Sequence, residues 1–241
     1  MLVTGFPSDV FGTNCYVVAR GPGEPCVVID PGIGVVDELD AVVREHRLHP
    51  AAVLLTHGHL DHTFSVAPVC GARGITAYIH PGDREMLADP ALGLSTGSSL
   101  LEGTGLTYTE PDDVAELPDG APMTVAGLEI TVDHAPGHTP GSVLFRLAAD
   151  ADLSELVGLP ELVEVCLSGD VLFAGSIGRT DLPGGSMETM LVSLREKVLP
   201  LDDATLVLPG HGPATTIGQE RATNPYLREL PHGRPAKIRG R

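Results

Sequence analysis

The feature that most constrains the fold of this chain is a run of metal-donor side chains that follows a short apolar segment. Residues 57–62 read His-Gly-His-Leu-Asp-His and are separated by Thr56 alone from the apolar residues 51–55. A short apolar run of this kind indicates a buried strand. Side chains alternate in extended backbone, so His57 and His59 point the same way, and a turn must direct Asp61 and His62 elsewhere. The segment therefore predicts two neighbouring metal positions at a strand end. A loop of merely hydrated histidines is the alternative, but donors rarely cluster this densely without a metal.

Length and composition indicate a loop-rich globular α/β protein. The chain has 241 residues, of which 42% are hydrophobic, with 29 Gly and 21 Pro. It contains no apolar run of about eighteen residues, so we expect no membrane-spanning helix, and its first residues do not resemble a signal peptide. We expect a single domain over residues 1–230 and a flexible basic tail over 231–241.

Charge and cysteine content restrict the partners and the compartment. The formal net charge is −17, and an acidic surface repels phosphate backbones, so nucleic acid is not an expected partner. The four cysteines are widely spaced without a C-x-x-C pair, and Cys26 and Cys166 lie in apolar runs. This usage predicts buried, reduced thiols and a cytoplasmic location. The sequence carries no signal for an oligomeric state.

Hydrophobic patterning predicts many short strands and two clear helices. The strands are expected at residues 16–20, 26–30, 51–55, 75–79, 123–125, 128–132, 142–147, 165–168 and 206–208. One helix is predicted over residues 35–47. A second follows the capping residue Ser186, with one apolar face formed by Met187, Met190, Leu191, Leu194 and Val198. Residues 84–119 and 148–164 are predicted insertions, the first of which is suited to cover a site.

Three further donors occur in the same context as the run at 57–62. His138, Asp170 and His211 each follow a predicted strand and each lies beside glycine. Glycine lets backbones approach closely, and residues just after strands are where binding groups concentrate. If each residue is considered alone, His138 and His211 are interpreted as hydrogen-bonded loop histidines, and Asp170 as a helix-cap or turn residue. Taken with residues 57–62, the recurrence indicates that all three are metal ligands.

These motifs resemble the metallo-β-lactamase superfamily and, within it, the glyoxalase II-like thioester hydrolases. The similarity extends from Thr13 to Leu227 and includes the segments 28–32, 56–62, 136–142, 168–170 and 208–212. It implies a four-layer αββα sandwich with metals at one sheet edge.

The resemblance also implies a ligand set for two divalent ions. One ion would be held by His57, His59 and His138, and the other by Asp61, His62 and His211. Asp170 would bridge them, and Asp61 and Asp170 would be the catalytic carboxylates. Asp30 and His134 would support the ligands, although a purely structural role fits His134 equally well. Zinc is the expected metal, and iron and manganese tolerate the same donors.

The resemblance, together with this ligand set, implies a hydrolase that cleaves a thioester, S-lactoylglutathione or a related small acyl-thiol, by attack of a metal-bridging hydroxide. Metal binding lowers the pKa of water toward about 7. A thiol of pKa about 8.5 leaves with little help from an acid, whereas an amide nitrogen needs a proton. The loop after Asp170 lacks the lysine and tyrosine with which glyoxalase II holds glutathione. Arg179 is the candidate anchor for a substrate carboxylate, and pairing with Asp181 is its alternative.

Other functions remain open on the sequence. A mononuclear-iron persulfide dioxygenase would use His57, His138 and Asp170 as a two-histidine, one-carboxylate set. A β-lactamase fits less well, because those with two metals typically have cysteine where this chain has Asp170. Nuclease relatives share the histidine run, but the acidic charge argues against them. A catalytically idle metal-binding protein is the least compatible with a complete ligand set.

Overall fold

The computed structural model describes residues 1–95, 107–118, 120–150, 153 and 162–230. This part of the chain forms two six-stranded sheets with helices on their outer faces. None of the helices within these residues is long and apolar enough to cross a membrane.

The first sheet contains six strands in chain order: β1 (Leu2–Pro7), β2 (Asn14–Ala19), β3 (Pro25–Ile29), β4 (His49–Leu54), β5 (Thr76–Ile79) and β6 (Val114–Glu116). The first three strands are antiparallel, and β3 to β6 are parallel. Helix α1 (Val36–His46) connects β3 to β4. Helices α2 (Leu60–Thr63) and α3 (Val66–Arg73) connect β4 to β5, and α4 (Arg84–Ala88) follows β5.

The second sheet contains β7 (Pro122–Val125), β8 (Leu128–His134), β9 (Val143–Ala148), β10 (Glu164–Gly169), β13 (Thr205–Pro209) and β14 (Thr215–Thr216). Its spatial order is β14-β13-β10-β9-β8-β7, and only β10 and β13 pair in parallel. A separate hairpin is formed by β11 (Leu172–Phe173) and β12 (Ser176–Ile177). Helix α5 (Met187–Ser193) continues as a π-helical turn (Leu194–Val198), and α6 (Ile217–Thr223) and α7 (Pro225–Glu229) come last.

Alternation along the strands divides the core into three layers of apolar side chains. Tyr16 and Val18 of β2 pack between the sheets, whereas Cys15 and Val17 face helices α1 and α3. A third apolar layer lies between the second sheet and α5, α6 and α7. Period-two alternation gives each strand two buried faces here. The order is therefore helix, sheet, sheet, helix, and the predicted four-layer αββα sandwich is confirmed.

The nine predicted strands and the two predicted helices are present, but the structure contains further elements. Strands β1, β6, β11, β12 and β14 and helices α2, α3, α4, α6 and α7 were not predicted, and Met187 is 44% exposed instead of packing with the apolar face of its helix. Within the predicted insertion 84–119, α4 and β6 are present, and residues 96–106 and 119 lie outside the described residues. The same holds for 151–152 and 154–161 of the predicted insertion 148–164, and for the predicted tail at 231–241.

Candidate metal centre

The predicted metal donors meet at one edge of the sandwich because each lies just beyond the end of a strand. His57 to His62 follow β4 of the first sheet, whereas His138, Asp170 and His211 follow β8, β10 and β13 of the second. The two sheets are joined at this edge by main-chain contacts. Thr13 forms a β-bridge with His211, and the amide of Asn14 donates to the carbonyl of Gly210 at 2.7 Å.

Three histidines form the first group of donors. His138 Nε2 lies 2.8 Å from His59 Nδ1 and 3.2 Å from His57 Nε2. All three side chains are buried. His138 is oriented by its other ring nitrogen, which is 2.7 Å from the carbonyl oxygen of Arg179. Converging ring nitrogens of this kind suit a divalent ion.

The second group combines one carboxylate with two histidines. His211 Nε2 lies 3.2 Å from Asp61 Oδ2, and His62 Nε2 lies 3.5 Å from the same oxygen. Thr13, which was not identified from the sequence, donates its hydroxyl hydrogen to Asp61 Oδ2 at 2.9 Å. Asp61, His62 and His211 thus have ligand atoms close enough together for one ion.

Asp170 lies between the two groups. Its Oδ2 is 3.5 Å from His138 Nε2 of the first group and 3.6 Å from His211 Nε2 of the second, and its Oδ1 is 3.4 Å from His62 Nε2. A carboxylate in this place could contact two ions at once, which is the role that the family resemblance implies for Asp170.

The electrostatic environment differs between the two groups. Burial, reinforced by the neighbouring histidines, lowers the pKa of His57 well below its usual value and that of His59 to about 3. Burial also acts to lower the pKa of His62, but Asp61, Asp170 and Asp30 outweigh it and raise that pKa well above its usual value. His57 and His59 therefore present neutral imidazoles, whereas His62 of the second group lies among the carboxylates of Asp61, Asp170 and Asp30.

Unpartnered polar atoms test whether the donors fit a metal. In the described part of the chain four buried side-chain polar atoms have no hydrogen-bond partner, and three of them are His59 Nε2, His62 Nε2 and Asp170 Oδ1. Buried polar atoms are rarely left without a partner. Their concentration among nitrogen and carboxylate donors fits a site for divalent ions.

The two predicted supporting residues, Asp30 and His134, differ in whether they contact a proposed ligand. Asp30 accepts hydrogen bonds from the Thr56 amide at 2.8 Å and its hydroxyl at 2.5 Å, and Asp30 Oδ2 lies 2.9 Å from His62 Nδ1. It thus orients a predicted ligand. His134 instead contacts the Pro140 carbonyl oxygen, in the loop that carries His138, through Nε2 at 2.8 Å, and it stacks on His80, which follows β5.

A cavity of about 500 Å³ opens beside the donors. Apart from the donors its described lining is mainly apolar: Phe11, Leu60, Leu94, Ser95, Arg179 and Leu182. The guanidinium of Arg179 donates to both carboxylate oxygens of Asp181, at 2.7 and 2.8 Å, and both side chains are mostly exposed. This hydrogen bond lowers the pKa of Asp181 to about 2. Arg179 thus lies at the cavity and is also paired, as both sequence interpretations allow.

Comparison with known proteins identifies the family. Residues 8–148 match the metallo-β-lactamase superfamily. An uncharacterised protein of Mycobacterium tuberculosis is 46% identical over 231 residues, covering 95% of this chain and 99% of that protein. The hydroxyacylglutathione hydrolase GloC of Haemophilus influenzae is 34% identical over 227 residues, covering 92% and 95%. The chain belongs to the metallo-β-lactamase superfamily.

Solved structures support the same assignment. The B3 metallo-β-lactamase BLEG-1 superposes with a TM-score of 0.77 at 38% identity, covering 94% of this chain and 99% of that one. TTHA1623 in a di-iron-bound form superposes with a TM-score of 0.73 at 36% identity, covering 93% of this chain and 100% of that one. ETHE1 from Myxococcus xanthus gives 0.70, covering 93% of this chain and 84% of that one, and at 24% identity it shows the shared fold alone.

Proposed function

We propose that this protein is a binuclear metal-dependent hydrolase that cleaves the thioester of a small acyl-thiol. One divalent ion would be held by His57, His59 and His138, and the other by Asp61, His62 and His211, with Asp170 shared between them. The observation that carries the proposal is the place of Asp170, within 3.6 Å of ring nitrogens from both groups. Zinc is the proposed metal, while the di-iron form of a similar protein makes iron the first alternative.

Bound divalent ions would supply water of lowered pKa, toward about 7, and would polarise a substrate carbonyl. The protein's own part is to orient the donors and to shape the cavity beside them. The Thr13 hydroxyl and His211 Nε2 both contact Oδ2 of Asp61, at 2.9 and 3.2 Å, and so orient its carboxylate. Phe11, Leu94 and Leu182 give the cavity apolar walls, against which an apolar part of a substrate can pack.

The lining of the cavity favours a thioester over an amide. Apart from the proposed ligands, the described lining residues are Phe11, Leu60, Leu94, Ser95, Arg179 and Leu182, and none of these side chains titrates near neutral pH. An amide nitrogen needs a proton as it leaves, whereas a thiolate leaves without one because thiols have a pKa of about 8.5. A site without a free general acid is therefore better suited to acyl-thiols.

The carrier thiol is the least constrained part of the proposal. The 34% identity to a hydroxyacylglutathione hydrolase favours glutathione, whereas the loop after Asp170 lacks the lysine and tyrosine with which glyoxalase II holds it. Arg179 lies at the cavity and would bind a substrate carboxylate in exchange for Asp181. The proposed setting is the cytoplasm, where thiols stay reduced. All four cysteines are free and buried in the described part of the chain, which agrees with that setting.

The test is hydrolysis of S-D-lactoylglutathione by protein loaded with two equivalents of zinc. A kcat/KM of about 10⁴ M⁻¹s⁻¹ or more, the lower end of ordinary enzymes, would support the proposal. The chelated protein is the control and should be inactive. A weak rate would direct the search to other acyl-thiols, and absence of turnover with every acyl-thiol would contradict the proposal.

A persulfide dioxygenase is the second candidate. His138 Nε2 lies 3.2 Å from His57 Nε2 and 3.5 Å from Asp170 Oδ2, which is a suitable donor set for a single iron. Oxygen uptake with glutathione persulfide by the iron-loaded protein, at one iron per chain, would favour this activity.

Since BLEG-1 is a B3 metallo-β-lactamase, a chromogenic cephalosporin belongs in the same panel of substrates.

A further inference from the structure

Asp83 is a fully buried carboxylate that the proposed chemistry does not use. It ends the short 3-10 turn Pro81–Asp83 that follows β5, and its exposed fraction is 0%. Buried carboxylates are uncommon and are retained where they are paired or hydrogen-bonded. The partners of Asp83 therefore indicate what the residue does.

Both oxygens of Asp83 accept hydrogen bonds from loops that carry proposed ligands. Asp83 Oδ2 accepts the Gly58 amide at 2.8 Å and the Thr139 hydroxyl at 2.6 Å, and Oδ1 accepts the Gly141 amide at 2.6 Å. Gly58 separates His57 from His59, and Thr139 follows His138 directly. One side chain thus connects the two loops that supply the first group of histidines.

The neighbouring glycines make this arrangement possible. A β-carbon at position 141 would lie 2.6 Å from Asp83 Cγ, and one at position 58 would lie 3.1 Å from Asp83 Cβ. Side chains at these positions would push the loops away from the carboxylate. The sequence at both loops is therefore fitted to Asp83.

Asp30 has the equivalent place on the other side of the centre, where it contacts His62 of the second group and the amide of Thr56. Two buried carboxylates thus hold the run 57–62: Asp83 binds it at Gly58, beside ligands of the first group, and Asp30 binds it at His62, a ligand of the second group. Among the described residues, the side chain of Asp83 accepts hydrogen bonds from Gly58, Thr139 and Gly141, which lie beside the three histidines of the first group.

We infer that Asp83 is a positioning residue for the first metal position. It sets the distance between the His57–His59 pair and His138, so its loss weakens metal binding by these three histidines and spares binding by Asp61, His62 and His211. The inference rests on the proposed metal ligands but not on the proposed substrate. Removal of such a supporting residue typically costs about 10- to 100-fold in metal affinity.

Asp83→Asn is the informative variant because it keeps the shape of the side chain. Each carboxylate oxygen accepts a main-chain N–H, and either orientation of an asparagine amide places its NH₂ group against one of these donors. Asp89→Asn is the matched control. Asp89 lies six residues further along, is exposed, and accepts the Ala91 amide at 3.0 Å without contacting a ligand loop.

The experiment is zinc titration of metal-free protein, with circular dichroism to verify folding. In a His211→Ala background the first position should keep one zinc, and Asp83→Asn should weaken it about 10- to 100-fold. In a His138→Ala background Asp83→Asn should change the affinity of the remaining zinc by less than about threefold. Asp89→Asn should leave the zinc affinity unchanged in both backgrounds.

The outcomes separate this inference from the proposed function. Fewer than two zinc equivalents on the unaltered protein would refute the ligand assignment, and the inference with it. Two equivalents with no effect of Asp83→Asn, or equal weakening in both backgrounds, would refute the inference alone. If Asp83→Asn does not fold, Thr139→Val removes one of the three hydrogen bonds and should weaken the first position selectively. If Thr139→Val weakens zinc binding equally at both positions, or at neither, the inference is also overturned.

Discussion

Asp170 is the residue on which the two-metal proposal depends most directly. Asp170→Ala should remove at least one zinc equivalent, because the carboxylate lies within 3.6 Å of ring nitrogens from both groups. We expect kcat/KM to fall by at least roughly 100-fold, the upper end of losses for residues outside a ligand set. Metal analysis and steady-state kinetics measure the two effects. Asp112→Ala, at an exposed position before β6, is the control, and an Asp170→Ala protein that keeps both ions would refute the assignment.

Arg179 has two possible partners, and kinetics can separate them. If its guanidinium anchors a substrate carboxylate, Arg179→Ala should raise KM far more than it lowers kcat, since uniform binding is lost. Asp181→Ala is the matched variant, because it frees Arg179 from the carboxylate that it now binds at 2.7 Å. This variant should leave KM unchanged or lower it. Unaltered kinetics in Arg179→Ala would leave the arginine with a structural role only.

The sequence predicts a site residue where the motif spans a few neighbouring residues, but not where the residue reaches the site only through the folding of distant segments. The run 57–62 and the glycine-flanked His138 and His211 carry their pattern within a few residues. Thr13 and Asp83 do not, because their contacts join residues distant in the chain: 48 positions between Thr13 and Asp61, and 56 between Asp83 and Thr139. Only the folded sheets bring these residues to the centre.

The loop that carries His138 is held against helix α5 by a glycine. Gly137 has a φ of +141°, and a β-carbon there would lie 2.4 Å from Met190 Cα. Gly137→Ala should therefore displace the loop, with a cost in the free energy of unfolding of more than about 1 kcal/mol and weaker zinc binding. Urea denaturation and zinc titration measure these effects.

Gly71→Ala is the matched control for this prediction. Gly71 lies inside helix α3, and a β-carbon there would meet no atom within 4 Å. Alanine is favoured over glycine inside a helix, so this variant should be more stable by roughly 0.5–1 kcal/mol. If both variants have the same stability, the close approach at Gly137 does not constrain the loop.

Strands buried on both faces were predictable, whereas three of the four edge strands, β1, β6 and β14, were not. Strands β2, β3 and β4 contain continuous apolar runs because both of their faces are covered. Strand β1 is at the edge of the first sheet, and its residues are only partly buried or exposed. It becomes a strand by pairing with β2. Strand β14 has only two residues and likewise depends on its partner, β13. Pairing of this kind leaves little pattern in the strand itself.

The proposed ligands come from both sheets, so metal binding is coupled to the folding of the whole molecule. The run 57–62 follows a strand of the first sheet, whereas His138, Asp170 and His211 follow strands of the second. Ions bound between them would act as cross-links between the two halves of the sandwich. An unfolded chain does not hold these donors together, so binding free energy adds to stability.

Zinc loading should therefore raise the melting temperature substantially. Free zinc at 100 times Kd stabilises by about 2.7 kcal/mol per site, which is roughly 5 kcal/mol for two sites. In a domain of this size about 1 kcal/mol shifts Tm by roughly 2–4 °C, so we expect a rise of about 10–20 °C by calorimetry. The control is the double variant His57→Ala, His211→Ala, which loses one ligand from each position and should show little rise. An equal rise in that variant would place the stabilising zinc outside the proposed centre, and no rise in the unaltered protein would contradict the cross-linking role of the ions.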